Sequence, residues 1–137
     1  MKNSPSPCPC GSGASFDRCC GPYLDGTAPA PTAEALMRSR YSAYVQLRED
    51  YLLATWHAST RPAELGLASE APTKWLGLDV RRHEQQDTDH ASVEFVARYK
   101  INGRAHRLHE ISRFVREGGK WFYVDGTIAG AEASAQV

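Results

Sequence analysis

Beyond residue 20 this chain has no cysteine at all. Its four thiols lie between Cys8 and Cys20 of a 137-residue sequence. No disulfide can staple the rest, which must be held by burial of apolar surface. No apolar run approaches the ~20 residues of a membrane-spanning helix, so no helical membrane anchor is expected. The opening residues, MKNSPSPCPCGSG, lack the apolar stretch of a secretory signal. The expected compartment is therefore the cytosol, where thiols stay reduced. Net charge is absent too: Lys+Arg and Asp+Glu both number 16. That balance disfavours a polyanion, so nucleic acid is not an expected partner. The hydrophobic fraction is 42%, sufficient to build one core.

The cysteines stand in CPCGSGASFDRCC as C-x-C-x8-C-C. In a reducing compartment such a cluster reads as metal ligands before disulfides. Four thiolates at Cys8, Cys10, Cys19 and Cys20 complete a tetrahedron around one structural Zn2+ and leave no position for catalysis. Pro9 stiffens the first pair, and Gly11 and Gly13 permit the turns around a metal. Phe16 offers the loop one apolar side chain. Two disulfides or a redox dithiol are the alternatives. A vicinal Cys19–Cys20 bridge is strained, and C-x-C is not the redox C-x-x-C spacing. So short a segment needs metal to fold.

CPCGSGASFDRCCGP resembles a SEC-C motif, the zinc element of the preprotein-translocase motor's C-terminal tail. There it docks a chaperone and the ribosome. The resemblance implies zinc on the four cysteines but not the same partner; docking of a protein or ribosomal partner is the expectation it motivates. The translocase element usually has a histidine in its last ligand pair, whereas both residues here are cysteine.

Residues 23–32, YLDGTAPAPT, read as a semi-stiff linker. Thr32 is a suitable N-cap for the helix that follows. In that helix Leu36, Met37, Tyr41, Tyr44, Val45 and Leu47 share one face, and Arg38, Ser42, Gln46 and Glu49 mostly the other. Asp50 is placed to cap a second segment, YLLATWH, and Leu65 and Leu67 suggest a further helical turn. From Trp75 the period becomes two. Leu76, Leu78 and Val80 alternate with polar residues up to a polar loop, QQDTDH, with His83 and His90 solvated nearby. Strands then flank Asn102-Gly103 and Gly118-Gly119, both two-residue hairpin signals.

These turns set the register. With two-residue loops, Tyr99 faces His106, Phe95 faces Glu110, Phe114 faces Tyr123, and Ser112 faces Asp125. Glu110 and Asp125 then sit diagonally across Ser112 on a mostly apolar face. A carboxylate there must be paired, hydrogen-bonded or protonated. One reading is structural, an ion pair to Arg38, Arg40 or His57. The other is functional, a pocket for a small molecule or a reaction. Its polar anchors are Glu110, Asp125, Ser112, Arg40 and His57, and its walls Tyr41, Tyr44, Trp56, Tyr99 and Tyr123. A one-residue bulge would change the facing. Arg98, Arg104, Arg107, Arg113 and Arg116 read as a solvated outer sheet face.

Helices followed by an antiparallel meander argue for an α+β fold with helices over one sheet face. Together, ALMRSRYSAYV, DYLLATWHAST and EFVARYKINGRAHRLHEISRFVREGGKWFYVDG resemble the bacterial YchJ-like family. That likeness implies an NTF2-like cone, N-terminal helices on a curved antiparallel sheet, behind a zinc knuckle. Members often carry a second cysteine motif at the C-terminus, absent from this tail. The expected organisation is a SEC-C-like motif at 1–22, a linker at 23–32, an NTF2-like domain at 33–128 and a loose tail at 129–137. The expected role is an adaptor that docks a protein through the zinc motif; ligand binding or catalysis in the cavity is the alternative.

Overall fold

The structure, a computed structural model, describes residues 7–66 and 73–128. The turn expected at Leu67 and the tail at 129–137 lie outside the described residues. Near the N-terminus a 3-10 turn (Phe16–Arg18) leads into a short helix, α1 (Gly21–Leu24), so Tyr23 and Leu24 complete a helical turn instead of opening the linker. Helices α2 (Ala33–Val45) and α3 (Glu49–Ala54) follow. Thr32 caps α2 as expected, its side chain accepting from the Ala35 N–H at 3.0 Å. Asp50 is not a cap. Arg48 holds that position, and Asp50 in the first turn takes its guanidinium at 3.0 Å. Leu47 lies past the end of α2 at φ 57° and is 59% exposed, so it leaves the apolar face expected of it.

Four strands form one antiparallel meander, β1 (Thr73–Asp87), β2 (His90–Ile101), β3 (Arg104–Glu117) and β4 (Lys120–Ile128), in that spatial order. Asn102 and Gly103 turn through φ 53° and 78°, Gly118 and Gly119 through 60° and 81°, as two-residue hairpins require. β1 runs through half of the expected QQDTDH loop, to Asp87. Beyond Arg81 it is exposed on both faces, so ladder hydrogen bonds hold it there and no apolar alternation marks it. Register shifts near Leu76, Arg81 and Gln86 bend it, which curves the sheet around the helices.

One sheet face meets α2 and α3. Val93, Phe95, Ala97 and Leu108 are at most 1% exposed beneath Leu36, Tyr41 and Leu52. Each large side chain so buried contributes about 1.5–3 kcal/mol. Ser39, Arg40 and Ser42 are buried as well, so α2 is covered nearly all round. The cysteine loop supplies that second cover: Cys8, Cys10, Cys20 and Leu24 belong to the same core cluster as the sheet.

Candidate metal centre and buried carboxylate

The cysteine loop closes on itself through backbone bonds. The Cys8 N–H donates to Ala14 O at 3.0 Å and the Gly11 N–H to Cys8 O at 3.1 Å. The 3-10 turn then brings Cys19 and Cys20 beside the first pair. All four Sγ atoms lie within 4.8 Å of one another. A tetrahedron with metal–sulfur bonds of about 2.3 Å has edges of about 3.8 Å. Cys10–Cys19 at 3.6 Å and Cys19–Cys20 at 3.9 Å fit that edge. The donor set is therefore compatible with a four-thiolate metal site.

The charges of this set compete. The hydrogen bond from Cys20 holds the Cys10 thiol down to about 4, while that same bond and burial push Cys20 up, and burial raises Cys19. A bound dication lifts the competition by stabilising every thiolate together. Support comes from α2. Ser42 Oγ lies 3.5 Å from Cys8 Sγ, and one turn earlier Arg38 donates to Cys10 O at 3.0 Å. Both residues were expected on the face of that helix opposite its apolar residues. Two serines spaced i, i+3, Ser39 and Ser42, were the available signal that something packs closely there.

The expected carboxylate pair does not assemble. From β2 to β3 the register is as derived, with Phe95 opposite Glu110 and Tyr99 opposite His106. From β3 to β4 it holds as far as Phe114–Tyr123. There Val124 is an extra residue, and beyond it Arg113 faces Asp125 and Ser112 faces Gly126. This bulge turns Asp125 to the outer face, where Arg113 pairs with it at 2.7 Å. Glu110 stays inside at 6% exposure, its carboxylate against Gly126, where an added Cβ would sit 1.9 Å from Oε2.

Glu110 is held by Ser112 Oγ, which donates at 2.7 Å, and more weakly by the Tyr123 hydroxyl at 3.5 Å. Arg40 makes no ion pair with it. Its guanidinium donates to Leu52 O and Thr55 Oγ1, both at 2.8 Å, and lies over the Tyr123 and Trp56 rings at 4.6 and 5.1 Å. Burial raises the Glu110 carboxyl above its ordinary 4.5, outweighing its hydrogen bonds and Arg40's longer-range pull. The neutral acid therefore favours folding, a contribution fully present below about pH 4.5 and lost as pH rises through the raised value. The urea midpoint of Glu110→Gln should accordingly gain on wild type as pH goes from 4.5 to 8. A pH-independent difference would show that the carboxyl titrates normally.

The remaining expected pocket residues divide. Tyr41, Tyr44 and Tyr99 gather around Trp75, with ring centroids 5.2–5.9 Å from it. Trp56 packs edge-on to Tyr123 at 5.0 Å. His57 is turned out of the site. The segment after α3 runs along the β4 edge, with Tyr123 N–H donating to Thr55 O and His57 N–H to Tyr123 O, so Trp56 points in and His57 pairs with Glu117 at 2.9 Å. His83, expected solvated near the polar loop, is exposed on β1 and reaches Glu34 at 3.1 Å.

A groove that sequence alone did not suggest lies elsewhere. A cavity of about 470 Å³ opens between residues 23–30, α3 and the tip of the β3–β4 hairpin, with Tyr23, Tyr51, Trp121 and Phe122 among its lining. A smaller one, about 170 Å³, is walled by Phe16, Asp17, Gly21 and Pro22 of the cysteine loop. Leu24, Asp25 and Arg48 line both.

Comparison with known proteins matches two families. Residues 32–126 match the middle NTF2-like domain of YchJ, and residues 5–22 match the SEC-C motif. A UPF0225 protein of Polaromonas naphthalenivorans is 62% identical, the match covering 88% of this chain and 96% of that protein. Another, from Methylibium petroleiphilum, is 61% identical over 93% of this chain and 92% of its own. Among solved structures, a SEC-C motif containing protein from Rhodopseudomonas palustris superposes with a TM-score of 0.81 at 35% identity, covering 90% of this chain and 98% of that one. One from Psychrobacter arcticus gives 0.70 at 28% identity, over 92% and 84%.

Proposed function

Because this chain belongs to the YchJ-like family, carrying its NTF2-like domain behind a SEC-C motif, we propose that it is a cytosolic adaptor whose single structural zinc ion shapes a protein-docking groove. Cys8, Cys10, Cys19 and Cys20 hold the ion and leave it no open position, so the metal folds the loop and does no chemistry. The observation that carries this reading is the placement of Phe16, Asp17, Gly21 and Pro22. These residues of the metal-folded loop wall the smaller cavity, which shares Leu24, Asp25 and Arg48 with the larger one lined by Trp121 and Phe122. Aromatic side chains in a concave, part-apolar channel suit a peptide segment of a protein or ribosomal partner. No helix among the described residues is long and apolar enough to cross a membrane. The catalytic alternative loses its second carboxylate with the outward turn of Asp125.

The test is a photo-crosslinking side chain at position 17, in the groove, against one at position 84, exposed on β1. A discrete partner should crosslink from position 17 in the metal-loaded protein, and chelation should abolish it. Equal crosslinking from position 84, or none affected by chelation, counts against docking here.

A further inference from the structure

Zero net charge hides a strong segregation. From Arg98 to His109 the chain reads RYKINGRAHRLH, with four Lys or Arg, two His and no acid. Pairing puts Arg98 opposite Arg107 and Lys100 opposite Ala105 on the face turned away from the helices. β1 adds Lys74 opposite Lys100, and Gly77 opposite Arg98. Lys74, Arg98, Lys100 and Arg107 are all exposed. Among the described residues none of the four has an ion pair. The nearest acids on that face are committed: Asp79 to Arg81 at 2.8 Å and Glu94 to His109 at 2.7 Å. Of the other hairpin arginines, Arg113 and Arg116 have Asp125 and Asp89 as partners, and Arg104 falls in register opposite Ile101, outside this patch.

Like charges directly across a sheet oppose one another. Two such pairs side by side, Lys74–Lys100 and Arg98–Arg107, form an arrangement that an anion relieves. Between them Gly77 and Ala105 leave the surface low, and a Cβ at Gly77 would meet nothing within 4 Å. We propose that this outer face binds the phosphate backbone of a nucleic acid without reading its sequence. A phosphate chain needs only cations on an accessible surface. A protein partner needs an apolar centre as well. Leu76, at the β1 bulge, is the single large apolar side chain exposed on these four strands, too little for such a centre. Among the described residues this basic patch carries no aromatic stack either: Tyr99 and His106 pair on the opposite face at 5.2 Å.

The experiment measures fluorescence anisotropy of a labelled RNA 20-mer, single-stranded and as a duplex, titrated with the metal-loaded protein from 50 to 200 mM salt. Affinity is expected in the range of about 10⁻⁴–10⁻⁶ M, falling with a log–log slope of about −2 to −4 for three or four phosphates. Arg98→Gln with Arg107→Gln should weaken binding about tenfold or more and flatten the slope by about 1.5. Arg81→Gln with Arg113→Gln, on paired arginines, should change it less than twofold. The patch variant relieves repulsion, so its melting temperature should hold or rise, which separates lost binding from lost folding. Equal losses in both double variants overturn the proposal. So does tighter binding to polyglutamate, or to phosphatidylserine vesicles, than to either RNA.

Discussion

Cys20→Ser is expected to unfold more than the cysteine loop. Cys20 is fully buried and belongs to the cluster that joins the loop to α2 and the sheet. Serine there removes one of four ligands and leaves a hydroxyl among thiolates and apolar atoms. Metal binding supplies roughly 10–16 kcal/mol to modules that cannot fold alone. Here the same free energy also covers Ser42 and the rest of the buried flank of α2. The expected cost is about 4 kcal/mol or more, a drop in Tm on the order of 10–20 °C. Chelating metal from wild type should reproduce the drop, and chelator should do nothing further to Cys20→Ser. Near-UV circular dichroism reports the sheet through Trp75 and Trp121, which are distant in sequence from the ligands. If the aromatic signal melts unchanged while only metal is lost, the loop is an autonomous knob and the shared core does not depend on it.

Gly126→Ala should be the second severe substitution, although Gly126 has no side chain to lose. Its new Cβ would stand 1.9 Å from Glu110 Oε2 and 2.5 Å from Cδ. The carboxylate cannot simply swing away, since it is buried and held by Ser112. Either β4 shifts, undoing the bulge, or Glu110 loses its hydrogen bonds. We expect about 2–4 kcal/mol of destabilisation in urea unfolding. Glu110→Ala removes the obstacle, so the double variant should be less damaged than the two single costs summed, with a coupling of about 1–3 kcal/mol. Additive costs would mean that Gly126 matters for its backbone alone.

The same residue shows where sequence reasoning stopped. Pairing from Asn102-Gly103 ran true along all of β2 and β3, because a two-residue turn sets the register and no bulge intervenes. From Gly118-Gly119 it ran true only to Tyr123. Val124 has nothing local to mark it as a bulge, so Asp125 was placed beside Glu110 when it lies on the other face.

The four-cysteine cluster, by contrast, was legible at once, since residue type and spacing are local. What surrounds them was not. Arg38 and Ser42 alternate away from Leu36 and Met37, and helical periodicity assigns such residues to solvent. Only the return of the N-terminal loop onto α2 buries them.

Sequence alone thus determined the four-thiolate cluster, the helices-then-meander order and the hairpin turns, because each depends on residues within a few positions of one another. Tertiary structure decided that the cysteine loop shares the domain's core, that Glu110 stands without a second acid, and that Lys74 joins Arg98, Lys100 and Arg107 on one face. Those depend on contacts between distant segments, where a single extra residue or the fold-back of a loop reassigns which side chains meet.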